Sequence, residues 1–208
     1  MEQAAREPVL QRFVWFQHLN GDDIRDDCRP GSPWRYRLVY NARYQEQIRR
    51  YEVISDGGDG AILVTQVQGR GTLTNLSLSD PLAPWRWKRA ETRLDAEGVF
   101  QFFAALGASG AFEPAPVGLR LPSAGFYWIL VGCQEGAMRF NAWVLPSARG
   151  EQLVFPGFLF ERDATGVAVN PPREIDASLL TFRRSNPQVS NEPAAFWLTV
   201  GKNGLEGF

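Results

Sequence analysis

Even-numbered positions between 34 and 40 hold large apolar residues, and the positions between them are mostly arginine. Alternation with a period of two predicts a half-buried β-strand that carries Arg35 and Arg37 on its wetter face. Three further strands are predicted, the last of them with a bulge, at 47–55, 61–67 and 72–79. Glycine-rich segments separate these strands, so an antiparallel meander of three or four strands is expected.

The clearest helical pattern begins after Asp95. Apolar residues recur there at i, i+3, i+4 and i+7, which places them on one face of a helix; they are Val99, Phe102, Phe103 and Leu106. Asp95 is a good N-cap, and Gly107 or Gly110 is a suitable end. We therefore predict one amphipathic helix at about 95–107 whose apolar face packs on the core.

The second half of the chain adds a hairpin. A continuously apolar segment at 126–131 predicts a strand covered on both faces, and an alternating strand is expected at 138–145. Pro156 and Gly157 predict that the apolar segment around them forms two short pieces, and a last strand is expected at 196–200. The fold class is therefore α+β, predominantly antiparallel β-sheet, in a single domain that spans 1–208.

Composition places the chain among ordinary globular domains. It has 208 residues, of which 44% are hydrophobic, and 22 basic residues face 23 acidic ones. These proportions exclude a disordered or fibrous chain, and no apolar run approaches the roughly 18 residues that a membrane helix needs. The first residues lack an apolar signal core, so we expect a cytoplasmic protein, or alternatively a periplasmic one whose signal peptide has been removed.

The basic residues are nearly all arginine, with lysine only at positions 88 and 202. Together with the abundant glycine, proline and alanine, this bias is typical of a GC-rich bacterial genome. A bacterial source is therefore expected. The bias itself carries no function.

The motifs of the common enzymes are missing from the sequence. It contains no phosphate-binding loop, dinucleotide fingerprint, nucleophile elbow or zinc-protease motif. No catalytic residue, cofactor or metal site is therefore predicted. A nucleophile formed by Cys28 or Cys133, with His18 as its base, is an alternative. The simpler interpretation is that Cys133 is a small buried apolar residue.

The two cysteines, Cys28 and Cys133, pair in an exported protein and stay reduced in a cytosolic one. Since no signal segment precedes them, two free thiols are expected. Cys28 lies in the acidic, Pro- and Gly-rich segment 20–33, which we predict to be a loop. This segment has four aspartates but lacks the spacing of a calcium-binding loop, so a solvated loop is the expectation.

The most distinctive feature is arginine interleaved with aromatic residues at 34–37 and at 85–89, the second group in a predicted surface loop. Such residues suit stacked nucleotides, sugars or a protein–protein hot spot. The balanced charge makes nucleic acid an unlikely partner. Core aromatics with outward arginines are the competing interpretation. The predicted binding residues are Trp85, Arg86, Trp87, Arg89, Arg35 and Arg37.

These observations favour a non-enzymatic bacterial domain that binds another protein through an aromatic and arginine surface. The alternative is a small-molecule-binding domain or an enzyme with a cavity between the sheet and the helix at 99–106.

Overall fold

A computed structural model describes residues 16, 19–44, 46–69, 87–175 and 197–206 of the chain. Its helices are α1 Asp22–Asp27, α2 Ala96–Ala108, α3 Ala148–Glu151 and α4 Phe155–Glu161. Its strands are β1 Arg35–Ala42, β2 Gln47–Ser55, β3 Ala61–Gly69, β4 Lys88–Leu94, β5 Arg120–Pro122, β6 Phe126–Gln134, β7 Ala137–Leu145, β8 Trp197–Val200 and β9 Leu205–Glu206.

Six strands form an antiparallel sheet in the order β4-β3-β2-β1-β6-β7, and three short strands form a second sheet in the order β5-β8-β9. The first three strands form the predicted meander. The strand predicted at 72–79 lies outside the described residues, and the fourth strand of the meander is β4, which begins in the segment predicted to be a surface loop. The α+β class with a dominant antiparallel sheet is confirmed.

Both faces of the large sheet are covered. On one side, which we call the helical face, Tyr36, Leu38 and Tyr40 of β1 share a core with Phe102 of α2 and Phe155 of α4. On the opposite face, the second sheet and α1 pack against β1, β6 and β7; the buried residues there include Leu19, Ile24, Val39, Ile129, Leu198 and Val200. The sheet therefore has no uniformly wet side, which is why the prediction of a wetter face for Arg37 is wrong: that residue is only 3% exposed.

Helix α2 confirms the predicted amphipathic helix. The Asp95 side chain accepts a hydrogen bond from the Gly98 amide at 2.9 Å, which satisfies one of the unpaired donors at the helix start. Phe102 and Leu106 are fully buried, whereas Phe100 on the outer face is 69% exposed.

Part of the segment predicted as an acidic loop, 20–33, is helical. Helix α1 starts after Gly21, whose φ of 67° suits glycine, and Asp22 and Asp23 lie in its first turn. Negative charge there is favourable because the amides of a first helical turn point towards it. Ile24 is buried in the core of the opposite face and anchors the helix.

The prediction of two short pieces around Pro156 and Gly157 is also wrong, because one helix, α4, passes through both residues. Pro156 lies in the first turn, where its missing N–H has no intrahelical partner to lose. Phe155, Phe158 and Leu159 are buried against α2 and the helical face. The last predicted strand is confirmed as β8.

Candidate functional site

Arg35 and Arg37 belong to an ion-pair cluster between β1, β2 and α1. The Arg37 guanidinium donates to both carboxylate oxygens of Asp23, at 2.7 and 2.6 Å, and to Glu52 Oε1 at 2.9 Å. Arg35 donates from Nε to Glu52 Oε1 at 2.7 Å and from Nη2 to Asp23 Oδ2 at 3.0 Å. Burial opposes the charge of Arg37, but the hydrogen bonds and charges of Asp23 and Glu52 prevail and raise its pKa. The two arginines thus hold α1 on the sheet, and their role in binding stays a prediction.

The second predicted group is only partly described. Trp85 and Arg86 lie outside the described residues. Trp87 is half-buried next to β4, with the guanidinium carbon of Arg50 5.9 Å from its ring centroid. Arg89 is in β4 rather than in a loop, and it forms an ion pair with Glu91 at 2.6 Å in which both side chains are more than half exposed.

Strand register brings the two groups to one face of the meander. Arg50 and Arg89 both lie opposite Gln66, and Val39 lies opposite Arg50, so all four point to the same side as Arg35 and Arg37. Trp87 packs with the apolar residues of that side. We call this surface the arginine face; its members are Arg35, Arg50, Trp87 and Arg89, while Arg37 is buried on the same side of the sheet. Arg50 is not among the predicted binding residues, because its contact with Trp87 depends on pairing through β3.

A second buried cation lies on the helical face. Arg49 is 0% exposed and forms an ion pair with Asp163, whose Oδ2 also accepts a hydrogen bond from the Tyr51 hydroxyl at 2.9 Å. Arg49 also donates to the carbonyl of Val167 and, at 2.8 Å, to Gln47 Oε1. Desolvation is the largest influence on Tyr51 and raises its pKa. These bonds tie the chain after α4 to β2, so the cluster is structural.

Cys28 and Cys133 form a disulfide, which corrects the expectation of two free thiols. The bond joins the end of α1 to β6 across a sequence separation of 105 residues. Neither cysteine sulfur is therefore a thiolate nucleophile, and His18 lies outside the described residues. A cavity of about 470 Å³ lies beside the bond, lined in part by Asp27, Arg29 and Arg35.

Within the described ranges, no three His, Cys, Asp or Glu side chains converge as metal ligands would. The helices of those ranges also include none with the length and apolar character of a membrane span. Comparisons with protein families, with curated proteins and with solved structures find no match to this chain.

Proposed function

We propose that this chain is a non-enzymatic, exported domain that binds another protein through the arginine face. The observation that carries the proposal is that Arg35 of β1, Arg89 of β4 and Trp87, which precedes β4, lie on one side of the meander. Tryptophan and arginine are the residues that most often dominate binding energy at protein interfaces.

An exposed apolar residue on the same side of the sheet also supports a binding surface there. Ile62 of β3 is on the same side of the sheet and is 40% exposed, and Arg93 lies directly opposite it in β4. Arg93 is 82% exposed in its ion pair with Asp56, so its charge is available at the surface. An apolar patch rimmed by arginines suits a partner that presents apolar residues together with carboxylates.

The disulfide supports export. Disulfides form and persist in oxidising compartments and are rare in the cytosol. The bond therefore favours the periplasmic alternative over the cytoplasmic expectation, and we propose the former.

The cavity-based alternative has less support. Phe102 and Leu106 of α2 pack directly on the helical face and are fully buried, so the apolar face of this helix is used for the core. The cavity beside the disulfide lies on the opposite side of the sheet.

Site-specific photocrosslinking tests the proposal. A benzoyl-phenylalanine introduced at Ile62, in the organism that encodes the chain, is expected to yield a recurrent adduct with one protein. The same group at Phe100, which is more exposed but lies on the outer face of α2, is the matched control. Arg89→Glu should then weaken the purified complex about tenfold, as expected for one charged contact at an interface. Adducts from position 100 alone, or from neither position, would contradict the proposal.

A further inference from the structure

Strand β7 is an edge of the large sheet, and its even-numbered residues direct their backbone N–H and C=O groups away from the sheet. The β6–β7 turn consists of Glu135 and Gly136, with φ of 54° and 75°, and Gln134 pairs with Ala137 across it. In such a two-residue hairpin the flanking pair is hydrogen-bonded, and bonded pairs then recur at every second residue. Odd-numbered residues therefore bond to β6.

The second half of this edge is capped by side chains. The Ala142 amide donates to Asn141 Oδ1 at 2.9 Å, and Arg149 Nη1 donates to the Ala142 carbonyl at 2.7 Å. The Ser147 hydroxyl donates to the Val144 carbonyl at 2.7 Å. These contacts satisfy outward groups that would otherwise pair with another strand.

The first half of the edge is open. Within the described residues, the outward backbone groups of Met138 and Phe140 have no hydrogen-bond partner. A cavity of about 490 Å³ lies along these residues. We call it the edge groove, with Met138 and Phe140 as its floor.

Both walls of the edge groove are fixed by side-chain hydrogen bonds. Asn141 Nδ2 donates to the carbonyls of Gly110 and Glu113 at 3.2 and 3.1 Å, which holds one wall beside β7. Arg25 Nη2 donates to the Asn203 carbonyl at 2.7 Å, which holds the opposite wall between β8 and β9. The groove therefore needs little rearrangement before a ligand enters it.

Positive charge dominates the lining. Arg25, Arg139 and Lys202 line the edge groove together with one carboxylate, Glu113. Neither Arg139 nor Lys202 has an ion-pair partner among the described residues. Phe112, which is 41% exposed, adds apolar surface to the same wall.

We propose that the edge groove binds an extended, acidic segment of a partner protein, which adds to β7 as a short strand at Met138–Phe140. The backbone of the segment pairs with the outward groups of the floor, and its carboxylates pair with Arg139 and Lys202. The edge groove lies at β7, whereas Trp87 and Arg89 of the arginine face lie at or beside β4, the opposite edge of the sheet.

A second copy of the chain is a poor occupant. Two β7 edges in contact would bring Arg139 and Lys202 of one copy near the same residues of the other. The β4 edge also carries more positive than negative charge, with Lys88, Arg89 and Arg93 against Glu91. Like charges opposed across a strand pair are destabilising.

The test is a selection from a phage-displayed library of random linear octapeptides on the whole, oxidised chain. Selected peptides are expected to alternate apolar residues with aspartate or glutamate. Met138→Pro removes the outward N–H of that residue, at an edge position where a strand tolerates proline, and Met138→Ala is the matched control for loss of the methionine side chain. The proline variant should bind the consensus peptide about tenfold more weakly than the alanine variant, as expected for one hydrogen bond at the interface.

Arg139→Glu provides a second variant that leaves the backbone unchanged, and it should lower affinity for the acidic peptide at least as much. Amide exchange gives an independent signature: peptide binding should slow exchange at Met138 and Phe140. Arg139, whose amide already bonds to β6, should change little. Three results would overturn the inference. The selected peptides could lack carboxylates, or the proline and alanine variants could bind the peptide equally well. The chain could also form a dimer that prevents the peptide from binding. None of these results would bear on the Ile62 crosslink.

Discussion

Asp23 in α1 binds Arg37 in β1 through both of its carboxylate oxygens, at 2.7 and 2.6 Å, and this contact fixes a six-residue helix on the sheet. Arg37 is nearly inaccessible to solvent, whereas the Asp23 side chain is 46% exposed. A partly exposed carboxylate on α1 therefore neutralises a buried guanidinium on β1. Without this pairing, the buried charge of Arg37 would lose a two-point contact with a carboxylate and would depend on its remaining partners, among them Glu52.

Asp23→Asn is expected to lower the free energy of unfolding by about 2 kcal/mol, because a charged hydrogen-bond acceptor is lost from a buried guanidinium. Asp26→Asn, an exposed position on the same helix, should change it by less than about 0.5 kcal/mol. Urea denaturation of both variants measures the difference. Equal stability of the two variants would show that the Arg37 contact does not hold the helix.

Removal of the disulfide by Cys28→Ala with Cys133→Ala should cost about 4 kcal/mol, since the bond restricts a loop of roughly 100 residues in the unfolded chain. Denaturant midpoints of the oxidised wild type and of the double variant give this value. Thiol titration of the denatured, unreduced protein is the control and should find no thiol. Two reactive thiols in protein purified from its native compartment would contradict the pairing.

Phe102→Ala should destabilise the protein by about 3 to 5 kcal/mol, because it leaves a cavity where α2 meets the sheet. Phe100→Ala makes the same chemical change two residues earlier, on the exposed side of the helix, and should have little effect. Thermal unfolding of the pair distinguishes core from surface. If both variants have the same thermal midpoint as the wild type, the assignment of Phe102 to the buried face of α2 is wrong.

Glu46 is expected to contribute to the loss of folding stability at acidic pH. Burial favours its neutral form, but hydrogen bonds from Arg173 and Asn170 and the charge of Arg43 outweigh burial and lower its pKa. A carboxylate with a lowered folded-state pKa stabilises the protein above its unfolded pKa, about 4.3, and this stability is lost as pH falls through the folded value.

Glu46→Gln should therefore reduce stability at pH 7 and flatten the loss of stability below about pH 4.3. Glu151→Gln, which removes an exposed carboxylate, is the matched control for the loss of one negative charge. Unfolding free energies between neutral and acidic pH measure both curves. If the Glu46→Gln variant loses stability at acidic pH as steeply as the wild type, the Glu46 carboxylate does not contribute to that loss.

Local patterns predicted the meander, α2 and the β6–β7 hairpin because each depends on residues close together in sequence. The pairing of β1 with β6 does not, since Arg35 meets Cys133 across about 100 residues of chain, which no turn signal specifies. That pairing also explains the errors over Arg37 and the thiols. It places β1 at the centre of the sheet and brings Cys133 to Cys28.

The two candidate sites also differ in how far they depend on residues that are close together in the sequence. The arginine face could be anticipated in part, because Arg35, Trp87 and Arg89 lie in two short aromatic segments. The edge groove could not, because Arg25, Arg139 and Lys202 are single residues from three distant parts of the chain. The disulfide joins α1 to the β6–β7 hairpin, and the Arg25–Asn203 and Leu205–Asn20 hydrogen bonds join the α1 region to β8 and β9.

The contact between Asn20 and Leu205 sets the order in which the chain can complete its structure. The Leu205 amide donates to Asn20 Oδ1 at 2.8 Å, and Leu198, Val200 and Leu205 fill the core of the opposite face. Of the described elements, a nascent chain that has not yet emerged beyond β8 has only the α1 region and β5 to cover this side of the sheet. Closure of that core must therefore wait until β8 and β9 have been synthesised, after all six strands of the large sheet.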